Sequence, residues 1–236
     1  MKIRIKFAKE GNMKFIGHLD VMRYFQKVMR KADVDIRYSE GFSPHQIMSF
    51  AAPLGVGITS RGEYVDIEVI STDSSKEMLR RMNEVAVEGI EFLNYRKLPD
   101  TAASAMSLVA AADYTVTFRE GKEPEDWEAF AAGLAEFARG EQILVMKQTK
   151  KGEKETDIRP MIYSLTVDGQ AVHMKIATGS AANLKPDVVI RAYMDSVGLA
   201  LEEFALLVHR DEVYGSRGNK DQVELVALDQ FGGDIE

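Results

Sequence analysis

The stretch KIRIKFAKEGNMKFIGHLDVMRYFQKVMRKA, Lys2 to Ala32, changes its period part-way along, and that change decides the fold. At its start Ile3, Ile5 and Phe7 alternate with Lys2, Arg4 and Lys6. A period of two describes a strand with one apolar and one cationic face. Further on, Val21, Met22, Phe25, Val28, Met29 and Ala32 fall on one stripe of an α-helix. Arg23, Lys27 and Arg30 lie on its polar side, and Gly17 and His18 mark its beginning. Asp20 stands in the first turn, where a carboxylate suits the helix dipole.

Outward from this stretch, residues 35–39 read as a short extended piece and 63–70 alternate again as a strand. Ser74 or Ser75 can cap a helix running to about Val85, and 89–96 returns as a strand. The same order then recurs. Strands are predicted at 114–118 and 142–148, separated by a helix over 125–139 that carries the only tryptophan, Trp127. Residues 161–167 and 171–177 can pair across Asp168-Gly169, a hairpin signal. A helix over 186–197 tolerates Pro186 at its start, and 204–209 closes the series as a strand.

The expected fold is α+β, two tandem ferredoxin-like βαββαβ units. Their expected limits are 1–98 and 112–214, with Leu98–Ala111 as linker and 215–236 as a loose tail. KKGEKET, 150–156, reads as a solvated loop. The repeat is one of pattern, not of residues. In such a unit both helices cover one side of the sheet. Lys2, Arg4 and Lys6 are therefore expected on an open, cationic face.

Composition narrows the function. The net charge of −7 argues against a generic nucleic-acid coat, yet the first fifty residues hold ten Lys/Arg against five Asp/Glu. A basic end on an acidic protein suits a local anionic partner. The absence of cysteine excludes disulfides, thiolate metal sites and an iron–sulfur cluster held by this chain alone. The alternating start lacks the apolar core of a signal peptide, and Ala102–Ala112 is too short to span a bilayer. A soluble, cytoplasmic protein with no membrane partner is expected.

The segment YSEGFSPHQIMSFAAPLGVGI, Tyr38 to Ile58, concentrates the unusual chemistry. Gly41 suits a left-handed turn, while Pro44 and Pro53 stiffen the backbone and bias the residues before them toward extended geometry. His45 sits between turn and strand, as His18 sits at a helix start.

These residues resemble a radical-SAM-linked family of bacterial domains of unknown function. The resemblance rests on His18-Leu19-Asp20, on Tyr38, Ser39, Gly41, Phe42, Pro44 and His45, and on Pro53, Leu54, Gly57, Glu63 and Tyr64. It is dense over residues 1–70 and thinner beyond, at Asp157-Ile158-Arg159 and His209-Arg210. The radical SAM module of the fused members is missing here. The resemblance implies association with a separately encoded radical SAM enzyme rather than a reaction of this chain's own.

The expected function is a non-catalytic accessory partner that binds RNA or another anionic substrate. The candidate binding residues are His18, Asp20, Arg23, Tyr38, Ser39, Gly41, Phe42 and His45, with Lys2, Arg4 and Lys6 from the sheet. Tyr38, Phe42 and Phe50 supply rings for stacking. An alternative is a metal-independent endoribonuclease using His18 and His45 as acid and base, with Arg23 or Lys27 stabilising charge. Its fold analogues carry a glycine-rich loop that Tyr214–Gly218 matches poorly. A second alternative is a pure protein scaffold. His18, Asp20, Glu40 and His45 are metal-ligand types without the close spacing of a helical zinc motif, so no metal or cofactor is assigned.

Overall fold

A computed structural model describes residues 1–149, 152–219 and 222–236. The fold is mixed α/β, and the chain divides into two compact units, 1–110 with 210–236, and 111–209. The expected limits, 1–98 and 112–214, miss this return of the chain to the first unit. Both boundaries fall within strands, one in β5 (Val109–Phe118) and one in β10 (Leu206–Asn219).

In the first unit β1 (Lys2–Lys9) is the central strand, pairing antiparallel with β3 (Thr59–Glu68) on one side and β4 (Ile90–Lys97) on the other. The short β2 (Met48–Phe50) pairs with the second half of β3, and β10 is also a neighbour of β3. Gly62 permits the latter contact, since a Cβ there would stand 2.5 Å from the Glu212 Cα.

Helix α1 (His18–Lys31) follows the apolar stripe, with Val21, Phe25, Val28 and Met29 buried. It ends where Asp33 adopts a left-handed φ of 53° and Val34 N–H returns to the Met29 carbonyl, a helix stop that lets the chain turn back to the sheet. Helix α2 (Ser75–Glu84) is capped by Ser74, whose hydroxyl accepts from Glu77 N–H. The two helices press Phe25, Met29, Met78 and Met82 onto Ile3, Ile5, Phe7, Phe92 and Tyr95. The inward parity read from β1 is thus the observed one.

The opposite face of this sheet is covered, not open. The expected linker crosses it, including the short α3 (Ala105–Leu108). The expected tail does too: β11 (Gln222–Ala227) pairs with β10, and a 3-10 turn follows at Leu228–Phe231. Arg4, fully buried, donates to both oxygens of Asp66 at 2.7 and 2.9 Å, to the Leu228 carbonyl at 3.1 Å and to the Ala103 carbonyl at 3.3 Å. Lys6 meets Glu212 at 2.5 Å, and Lys2 Nζ donates to the Asp100 and Ala102 carbonyls. Glu212 also accepts from the Tyr64 hydroxyl at 2.7 Å. Burial, reinforced by the Glu212 charge, pushes that phenol far above its ordinary range. Lys2, Arg4 and Lys6 are therefore engaged by the chain's own covering segments rather than forming an open cationic face.

In the second unit the strand order is β10-β5-β9-β8. Here β5 is Val109–Phe118, β8 Ile162–Asp168 and β9 Ala171–Ala177. The hairpin expected at Asp168-Gly169 forms, with Asp168 paired to Ala171. Helix α4 (Trp127–Phe137) is capped by Asp126, and α5 (Pro186–Ser196) begins on its proline. Trp127 stacks on Phe130 and donates to the Gly169 carbonyl at 2.7 Å. The strand expected at 142–148 leaves the main sheet. As β6 (Leu144–Thr149) it pairs with β7 (Gly152–Asp157) in a separate two-stranded ribbon. That ribbon takes up much of the expected 150–156 loop, of which 150 and 151 lie outside the described residues. Asp157 fixes the ribbon's exit by accepting from Ile143 and Arg159 N–H groups, and Arg159 clamps the Gly140 and Ile162 carbonyls.

Candidate functional site

Two features of the first unit stand out, a projecting loop and a small cavity. The loop runs from Tyr38 to Gln46, which close it as an isolated antiparallel bridge. Ser39 N–H donates to the His45 carbonyl at 2.8 Å, and His45 N–H to the Ser39 hydroxyl at 3.1 Å. The His45 Nδ1 stands 2.8 Å from the same hydroxyl. Gly41 takes a φ of 107°, so the turn needs its missing Cβ. Gln46 is buried, and its amide reaches the Gln26 carbonyl of α1 and the Tyr38 hydroxyl. The loop is therefore anchored at its base and by its own hydrogen bonds, yet Phe42 at its tip is 111% exposed and Tyr38 44%. A rigid loop that holds a bare phenylalanine in water forgoes burial worth about 2 kcal/mol.

On the exposed side of α1, Arg23 and Lys27 are solvent-accessible, as are Arg30 and Lys31 in its last turn. Arg23 pairs with Asp20 at 3.1 Å, both being about two-thirds exposed, so solvent and salt screen the pair strongly.

The cavity lies at the other end of α1. Its lining is Phe7, Ile16, Val21, Phe50, Pro53 and Leu54, with three polar exceptions, Lys9, His18 and Glu63. About 20 Å³ is open to the centre of a water molecule, room for a water-sized group. Lys9 is only 2% exposed, and its ammonium finds one distant acceptor, the Lys14 carbonyl at 3.4 Å. Burial lowers its pKa, against an opposing pull from the Glu63 charge. Glu63 is held by Arg210 through two bonds, at 2.8 and 2.5 Å, and Arg210 also donates to the Ala52 carbonyl. The His18 ring stands edge-on to Phe50 at 5.2 Å.

Over residues 2–186 the chain matches the profile of a family described as an uncharacterized protein conserved in bacteria (DUF2344). It belongs to that family. No curated protein matches the chain. Among solved structures it is similar to a chain in a crystal structure of a Cbf5-Nop10-Gar1 complex, at 11% identity and a TM-score of 0.45. That alignment covers 89% of this chain and 48% of the other, so the chain spans about half the length of the structure it matches.

The expected site residues separate into three places in this family member. Tyr38, Ser39, Gly41, Phe42 and His45 form the loop, and Asp20 and Arg23 lie on the exposed face of α1. His18 lines the cavity, and His45 is not among its lining residues. The loop base touches α1 at Gln26, two turns beyond His18, an offset of about 12 Å at 1.5 Å per residue. The structure thus places the two imidazoles on different features, His18 in the cavity lining and His45 in the loop. Among the described residues no group of His, Asp and Glu is placed to hold a metal ion.

Lys9 and Glu63 are the site residues that sequence reasoning passed over. Parity offered a signal for Lys9, because it continues the inward series Ile3, Ile5, Phe7. A lysine on the core-facing side of a strand is uncommon enough to examine.

Proposed function

We propose that this chain is a non-catalytic substrate-binding partner of a separately encoded radical SAM enzyme, acting in the cytoplasm, and that its first unit holds single-stranded RNA. The observation that carries the RNA reading is the hydrogen-bonded loop that keeps Phe42 fully exposed beside a cationic helix. An exposed ring on a stiff support suits base stacking, which tolerates any base. Arg23 and Lys27, on the same helix as the loop's anchor Gln26, suit the phosphates. The surface differs from the one expected. It uses the helix and loop, since Lys2, Arg4 and Lys6 are engaged within the chain. The partnership with a radical SAM enzyme is supported by the sequence resemblance over residues 1–70.

The reading of two tandem ferredoxin-like units is supported by strand order. The first unit runs β4-β1-β3 with β2 beyond β3, and the second runs β10-β5-β9-β8. The β6–β7 ribbon is then an insertion in the second βαββαβ pattern.

The test is fluorescence anisotropy with a labelled single-stranded RNA across a salt series. Binding should weaken with rising salt, and Phe42→Ala and Arg23→Ala should each reduce it about fivefold or more. An absence of binding at low salt overturns the RNA reading.

A further inference from the structure

The cavity at the start of α1 has no part in the proposed RNA surface, and its chemistry points elsewhere. It is apolar except for nitrogen donors and one carboxylate. Arg210 neutralises that carboxylate, Glu63, through two hydrogen bonds. The Lys9 charge is then left in excess within a mostly apolar lining, with one long bond to the Lys14 carbonyl. The His18 ring nitrogens make no hydrogen bond among the described residues. A buried lysine with one long hydrogen bond and a half-buried histidine thus line one small space, and a buried ammonium short of acceptors is costly. Gly17 gives α1 no side-chain cap, so the positive end of the helix dipole adds to the same charge.

We infer that this cavity is a receptor for a carboxylate carried on an apolar body, with Lys9 and His18 holding the two oxygens. Size favours this head group. Space for a water-sized group admits a flat carboxylate more readily than a tetrahedral phosphate. The exposed residues next to the lining in sequence favour the apolar body. Phe15, Leu19 and Val56 are each about 60% exposed, and each adjoins or lies two residues from a lining residue, Ile16, His18 or Leu54. The Gly57 N–H bonds the Lys14 carbonyl at 2.8 Å, tying the 53–57 loop to the turn that carries Phe15. A ligand body laid across this rim buries apolar surface that is otherwise wet. Either a free acylate or the C-terminal end of a peptide with an apolar last residue offers this chemistry.

The experiment titrates the full chain with octanoate, N-acetyl-leucine and inorganic phosphate, following the His18 ring proton resonances by NMR. Lysine reactivity toward reductive methylation is mapped in parallel by mass spectrometry. Octanoate or N-acetyl-leucine should shift the His18 signals saturably and protect Lys9 from methylation. The tighter of the two identifies the source of the carboxylate. Lys9→Met keeps the side chain's length without its charge and should weaken binding about tenfold or more, the loss of one charged hydrogen bond. His18→Gln should weaken it less, and Arg23→Ala should leave it unchanged while affecting RNA. Phosphate binding as tightly as either carboxylate, unchanged affinity in Lys9→Met, or no saturable shift would each overturn the assignment.

Discussion

Replacing Asp66 with alanine should loosen the first unit from its covered face. Arg4 is fully buried, and Asp66 supplies both of its charged contacts, at 2.7 and 2.9 Å. Without Asp66 the guanidinium keeps only the Leu228 and Ala103 carbonyls, its charge uncompensated. Stranding one member of a buried pair costs about 3–5 kcal/mol. The Ala105 N–H, which donates to Asp66 at 2.7 Å, also loses its acceptor, adding about 1 kcal/mol. The expected loss is thus about 4–6 kcal/mol in the first unit. Arg4→Met combined with Asp66→Leu should recover most of it, because an apolar pair of similar volume replaces the charges. Urea unfolding by circular dichroism measures the loss, while Trp127 emission reads the second unit separately. Hydrogen exchange in peptides covering 98–110 and 224–236 should rise together, since Arg4 holds a carbonyl in each. An Asp66→Ala protein within 1 kcal/mol of wild type, with unchanged exchange in both segments, would refute the reasoning.

Lys9→Met should raise stability at neutral pH. Burial lowers the Lys9 pKa from the ordinary 10.5, so the unfolded chain binds the proton more tightly than the folded one. The advantage of Lys9→Met is complete below the folded pKa and shrinks as pH rises from there to 10.5, which paired urea titrations would show. Gly62→Ala should destabilise the first unit by about 1–3 kcal/mol, because its Cβ meets the Glu212 backbone, and thermal melts would report it. Phe42→Ala should leave the melting temperature unchanged, as nothing in the fold covers that ring. His45→Ala should speed exchange of the Ser39 and Ile47 amides, which donate to the His45 and Arg37 carbonyls, since the ring no longer braces the Ser39 hydroxyl.

The stripe Val21 to Ala32 and the alternation Ile3 to Phe7 were legible because each is a local period imposed by one neighbour, the core between helix and sheet. What covered the other side of β1 was not legible. Arg4 and Leu228 meet across nearly the whole chain, and no local pattern carries that pairing. The strand at β6 was visible from its residues, but not its partner, because the period of a strand is silent on which edge it joins. The stiffness of the Tyr38–Gln46 loop followed from its glycine and proline. Its position on α1 depended on a buried glutamine that ordinary composition rules place on the surface. For that reason the separation of His18 from His45 emerged only in three dimensions.

The order in which the chain leaves the ribosome now acquires meaning. The 111–209 unit is a continuous run, so all of its residues have been made before residue 210 is added. The earlier-made 1–110 portion lacks the Leu228 carbonyl that Arg4 bonds in the finished fold until 210–236 is synthesised. Synthesis from first residue to last thus lets the later-made unit mature first, and a nascent chain stalled before residue 210 leaves the earlier one unfinished.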